Sequence, residues 1–201
     1  MRTIGITGGV GAGKSQILSY IKEHTNCRII LADEAAHTVK EPGQPCYDRL
    51  VKLLGKEVLQ EDGLIDKKKM AAAIFCDKEI LAQVNAIIHP AVKKYIIDEI
   101  EKEREAKNID VFFVEAALLI EERYDLILEE LWYIYTDAGV RRERLKTSRG
   151  YSDEKVNQIF ASQLSEEEFR RWCKVVIDNS RSLSDTYSQI NQILKEAGLY
   201  R

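Results

Sequence analysis

Gly8-Gly9-Val10-Gly11-Ala12-Gly13-Lys14-Ser15 decides how this chain is read. The stretch matches G-x-x-x-x-G-K-[ST] at every fixed position and follows an apolar run of strand character, residues 2–7. Chemistry accounts for each residue type. A polyphosphate must come close to the backbone, so bulky side chains are excluded, and glycine permits the dihedral angles that turn successive N–H groups inward. The loop opens a helix near Lys14, and the helix N-terminus adds positive potential to the anion nest. Lys14 is placed for the β- and γ-phosphates and the Ser15 hydroxyl for Mg2+. Gly9, Gly11, Ala12, Gly13, Lys14, Ser15 and Gln16 are therefore the expected nucleotide-binding set, with ATP and Mg2+ as the expected ligands. A dinucleotide fingerprint fails, because it needs glycine where Val10 stands or a small residue where Lys14 stands. The Asn-Lys-x-Asp guanine reader of a regulatory GTPase is absent from the sequence.

Outward from the loop, residues 28–32 read as a second strand, and helical segments dominate from 34 to 107. Strands are expected at 109–115, 131–136 and 175–177, and helices at 138–149, 152–172 and 183–197. Strands alternating with helices predict an α/β fold with a parallel sheet covered on both faces. The long helical stretch between the second and third strands exceeds one crossover and is expected to form a subdomain over the acceptor. The expected organisation is one kinase domain over 1–201. Its core comprises 1–33, 109–137 and 174–201, its helical acceptor-binding region 34–108, and its lid 138–173.

Candidate catalytic groups follow from strand ends. In an open α/β sheet the C-terminal ends of the strands face the ligand crevice. Asp33 follows the second strand and is expected to accept the acceptor hydroxyl's proton; its alternative role is to cap a helix starting at Glu34. Glu115 closes a hydrophobic strand, the shape of an element that holds Mg2+ beside Ser15; its alternative is a carboxylate at a helix start. Glu121 lies six residues further on, facing either the acceptor or solvent. Arg141, Arg142, Arg144 and Arg149 fall within nine residues. Guanidinium groups clamp the charge that spreads over the transferred phosphoryl oxygens. Arg144 or Arg149 is expected to reach phosphate, and the others to lie on the surface. His37, four residues after Asp33, shares its helix face and is a candidate for orienting Asp33 or touching the acceptor. His89 precedes Pro90 and reads as a helix cap.

Composition narrows the partners. The 201 residues are 45% hydrophobic and 31% charged, with a formal net charge of −3, so no basic face for a nucleic-acid backbone is expected. There is no apolar run of membrane-spanning length. The four cysteines, Cys27, Cys46, Cys76 and Cys173, form no C-x-x-C pair and are expected as free thiols of a cytoplasmic protein, with Cys27 and Cys76 buried. A small phosphorylated metabolite suits this chain better than a nucleic acid or a membrane, and a monomer is expected.

At this point the chain resembles the dephospho-coenzyme A kinases along nearly its whole length. The resemblance is carried by Thr7 to Ser15, Ala32-Asp33-Glu34-Ala35-Ala36-His37, Glu41-Pro42-Gly43, Asp62-Gly63 with Ile65-Asp66, Asn85 with Ile88-His89-Pro90, Leu118-Leu119-Ile120-Glu121, Arg144-Leu145, Gln163 and Val176-Ile177-Asp178-Asn179. It implies an adenylate-kinase-like P-loop NTPase fold with a five-stranded parallel core, a helical coenzyme A domain and a lid. It also implies transfer from ATP-Mg to the ribose 3′-hydroxyl of dephospho-coenzyme A, with Asp33 as general base and His37, His89, Leu118 and Glu121 on the acceptor side. A nucleoside or nucleotide kinase of the same fold is the alternative. The chain departs from the family pattern at Leu31, Glu115, Ala117, Ser148 and Cys173-Lys174.

Overall fold

The strand, loop and helix around the glycines form as their pattern requires. In a computed structural model describing residues 1–75 and 77–201, β1 (Arg2–Thr7) runs through the glycine loop into α1 (Lys14–His24). Then come β2 (Cys27–Leu31), α2 (Ala32–Thr38), α3 (Tyr47–Leu54), α4 (Lys67–Phe75) and α5 (Lys78–Ala106). The chain continues with β3 (Val111–Glu115), β4 (Glu130–Tyr135), α6 (Ala138–Arg149), α7 (Asp153–Ala161), α8 (Glu166–Trp172), β5 (Val175–Asp178) and α9 (Leu183–Glu196). It divides into two compact units, Met1–Ile29 with Glu103–Arg201, and Ile30–Lys102. Cys76 lies outside the described residues.

The five strands form one sheet in the order β2-β3-β1-β4-β5. β1 pairs in parallel with β3 (Ile4 opposite Phe113) and with β4 (Ile6 opposite Trp132), and β4 pairs in parallel with β5. A parallel strand covered on both faces is buried along its length: β3 reads as a continuous apolar run, and in the central β1 Thr3 and Thr7 are buried beside the isoleucines. Ile4, Ile6, Phe112, Phe113, Trp132 and Ile134 are accordingly fully buried, and Phe113 meets Trp132 edge-on with ring centroids 5.7 Å apart. One carboxylate is buried with them. Glu130 pairs with Arg2 at 2.8 Å and Lys174 at 3.3 Å, and accepts from Trp132 Nε1 at 3.0 Å. A buried charge is tolerated where such partners replace its water.

Four expectations are corrected. The segment 152–172 is two helices, because Ser165 and Glu168 form a capping box that starts α8 afresh. His89 marks no helix boundary: α5 runs straight through His89 and Pro90. Its buried Val84, Ile87, Val92, Ile96 and Ile100 keep helical spacing across the proline, so burial of that stripe outweighs the lost backbone donor. Asp33 is not an N-cap, since α2 begins at Ala32 and Leu31 holds the cap position. Cys27 is only half-buried, as it opens β2 at the edge of the sheet. Cys27, Cys46 and Cys173 are free thiols. No helix among the described residues is long and apolar enough to cross a membrane.

Candidate active site

The glycine loop is held from beneath by a single carbonyl. Ala12 O accepts from Asn179 Nδ2 at 2.8 Å, from Thr136 Oγ1 at 3.1 Å and from Arg144 Nη1 at 3.5 Å. Asn179 is 1% exposed. Its Oδ1 accepts from Thr186 Oγ1 at 3.0 Å, and its backbone N–H donates to Tyr135 O at 2.8 Å. The ends of β4 and β5 and the start of α9 thus fix the loop through one buried amide. Two glycines are sterically required. A Cβ on Gly13, whose φ is +86°, would lie 2.5 Å from the buried Asn179 Nδ2, and one on Gly8 would lie 2.5 Å from the backbone Ile134 O. No side chain caps α1, so its first N–H groups remain for an anion.

Lys14 Nζ donates to Gly8 O at 2.8 Å and lies 3.4 Å from Glu115 Oε1. Parallel pairing of β1 with β3 makes that contact, since it brings the two strand ends to the same edge. Turns rather than a helix follow Glu115, so it does not serve as a helix-start carboxylate. Ser15 and Gln16 are exposed at the start of α1. Mg2+ usually takes one or two protein oxygens and completes its shell with phosphates and water. Ser15 and Glu115 fit that demand, and no cluster of three or more potential ligands exists among the described residues.

Two arginines of α6, Arg144 and Arg141, bond the loop and its support. Arg144 donates to Asn179 O at 2.9 Å and reaches Ala12 O. Arg141, expected on the surface, is half-buried against the loop. It donates from Nε to Val10 O at 3.0 Å and from Nη2 to Gln163 Oε1, with its guanidinium 4.4 Å from the Phe160 ring centre. Burial pulls its pKa below the usual arginine value. Arg149 is exposed and touches the Tyr151 ring. Arg142, also expected on the surface, is half-buried and bound to Asp153 and Asn157 rather than to the loop. The signal for Arg141 was spacing: it lies three residues before Arg144, on the same helix face, whereas Arg149 is five residues after it.

The second unit carries Asp33 and His37 on α2, both exposed. His37 lines a cavity of about 170 Å³ with Lys40, Glu41, Leu64, Ile65, Lys67 and Met70. Its pKa is lowered by burial first, then by Lys40 and Lys67, and is partly restored by Asp33. Of the other expected acceptor-side residues, Leu118 and Glu121 are exposed on the turns after β3, and His89 is half-buried inside α5. Lys40 and Lys67 were not anticipated, and no sequence motif marks them.

The family model for dephospho-CoA kinase matches residues 2–185. The dephospho-CoA kinase of Carboxydothermus hydrogenoformans is 35% identical over 193 residues, 96% of this chain and 93% of that one. Among solved structures, TT1252 from Thermus thermophilus superposes with a TM-score of 0.78 at 26% identity, covering 97% of both chains. The dephospho-CoA kinase of Campylobacter jejuni shares the fold with a TM-score of 0.74 at 21% identity, covering 98% of both chains.

Proposed function

The chain belongs to the dephospho-CoA kinase family, and on that premise we propose that it transfers the γ-phosphoryl group of ATP to the ribose 3′-hydroxyl of dephospho-coenzyme A. The products are coenzyme A and ADP, the last step of coenzyme A synthesis. The observation that carries this reading is the phosphate cradle, with Lys14 held between Gly8 O and Glu115, in a chain that matches the family almost end to end.

Roles follow from chemistry. The N–H groups of Gly9, Gly11, Ala12 and Gly13 and those of Lys14, Ser15 and Gln16 receive the phosphates. Lys14 leaves Glu115 to neutralise charge on the transferred group, joined by Arg144 and Arg141. Ser15 and Glu115 would hold Mg2+, which would neutralise negative charge on the phosphates. Asp33 accepts the proton of the attacking hydroxyl, and His37, His89, Leu118 and Glu121 serve the acceptor. Exclusion of water by the helices around 138–173 protects ATP from hydrolysis. We place the activity in the cytoplasm, carried out by a monomer.

A coupled ADP-release assay tests the reading, with dephospho-coenzyme A compared against adenosine, uridine, AMP and CMP and the product weighed by mass spectrometry. Turnover confined to dephospho-coenzyme A, with one phosphate added, is expected. Turnover on a nucleoside or nucleotide instead would discard the acceptor assignment and keep the cradle.

A further inference from the structure

The cavity of the second unit is lined by two ammonium groups that no carboxylate pairs among the described residues. Lys40 at the end of the α2 segment and Lys67 at the start of α4 both line it. Neither makes an ion pair among the described residues, and Glu41, which also lines the cavity, is paired with neither. Lys40 is half-buried. Its pKa is pulled down by burial and next by Lys67, which weighs more on it than Asp33 does. Removing a cation from water beside a like charge is unfavourable, and a bound anion relieves both penalties. His37 is held toward its neutral form and so remains able to donate or accept one hydrogen bond. Leu64, Ile65 and Met70 supply an apolar wall. At about 170 Å³ the cavity is smaller than the ~300–1,000 Å³ of whole-ligand pockets, so it suits one part of a larger ligand.

We propose that Lys40 and Lys67 form the subsite for the diphosphate of the acceptor, with the Leu64–Ile65–Met70 wall against the carbon chain that continues from it. Naming the anion as the acceptor's diphosphate rests on the proposed function; the existence of an anion subsite does not. Two charges on two lysines match the two charges of a diphosphate diester, and the subsite discriminates such an acceptor from an uncharged nucleoside.

The test uses Lys40→Gln, Lys67→Gln and the double variant, with Lys40→Arg and Lys67→Arg as charge-preserving controls. The KM for dephospho-coenzyme A is expected to rise about tenfold in each single glutamine variant, while the arginine variants and the KM for ATP stay within about twofold of wild type. A KM for dephospho-coenzyme A unmoved in the double variant overturns the acceptor assignment, as does an equal rise in the KM for ATP. Inorganic pyrophosphate is also titrated by calorimetry into wild-type and double-variant protein saturated with ADP, so that the glycine loop is already filled. Binding at least about tenfold weaker in the double variant supports the anion subsite; equal binding, or none in wild type, overturns it. If wild type transfers nothing to dephospho-coenzyme A yet shows this pyrophosphate difference, the proposed function fails and the anion subsite stands.

Discussion

Lys14 has two neighbours in the free protein, the Gly8 carbonyl and the Glu115 carboxylate, and a γ-phosphate would compete with both. Lys14→Met keeps much of the side chain's bulk and removes the charge. Turnover is expected to fall about 10²–10³-fold, the usual worth of one charge-stabilising donor in the transition state; steady-state kinetics at saturating ATP reads it, and a loss below tenfold would assign phosphate stabilisation to the arginines. Asp33→Asn makes a different demand, because it should leave ATP binding nearly intact and lower turnover about 10²–10⁴-fold. An almost fully active variant would leave Asp33 as an exposed residue of the first turn of α2. Asn179 belongs to the support rather than the chemistry. Its replacement by Ala removes one of the acceptors of the Thr186 hydroxyl and one of the donors to Ala12 O, at a cost of about 1–3 kcal/mol for the two hydrogen bonds lost. Urea denaturation measures that loss, and a rise in the KM for ATP should accompany it as the loop loosens.

Among the elements, α6 and α7 are tied by charge. Arg142 and Lys146 on α6 both bond Asp153 at 3.0 Å, and Ser152 caps α7 from just outside it. Hydrogen bonds from Lys146 and then Arg142 hold the Asp153 carboxyl below the usual carboxylate value. A depressed carboxylate contributes stability that is present above its unfolded pKa and is lost as pH falls through its folded one. Amide protection in α7 is therefore expected to drop in acid for wild type. Asp153→Asn should show reduced protection already at neutral pH and little further change. Hydrogen exchange resolved by residue checks this, and equal protection in the two proteins at neutral pH would mean that exposure and screening cancel the pair. The same region shows how element boundaries were readable yet missed: Ser165-x-x-Glu168 is a capping box in plain sequence, but the helical pattern on either side hid the break at 162–165. α5 is the converse, where Pro90 invited a boundary and a buried apolar stripe carried the helix past it.

For the whole molecule, binding at the cradle must feed into stability, since ATP has no cradle in the unfolded chain. At a free MgATP concentration about 100 times its dissociation constant, stabilisation of about 2.7 kcal/mol is expected. Thermal melts with and without MgATP read it, and Lys14→Met should lose most of the increment. A wild-type melt indifferent to MgATP would contradict the cradle. What the sequence determined by itself is local or periodic. The spacing of Gly8 to Ser15 specifies a phosphate loop because the nest depends on consecutive backbone groups. The unbroken apolar run around Phe112 specifies a buried parallel strand, because only a doubly covered strand can be apolar on both faces. What only the tertiary structure decided are the partners distant in the chain. Asn179 beneath Ala12, Arg141 rather than Arg149 over the loop, and Lys40 beside Lys67 all follow from which surfaces pack together. The physical reason is that a lone asparagine, arginine or lysine has the same local propensity on a solvated face as against a loop or in a cavity. Its role is set by the desolvation and neighbours that folding imposes, and those are absent from any short window of sequence.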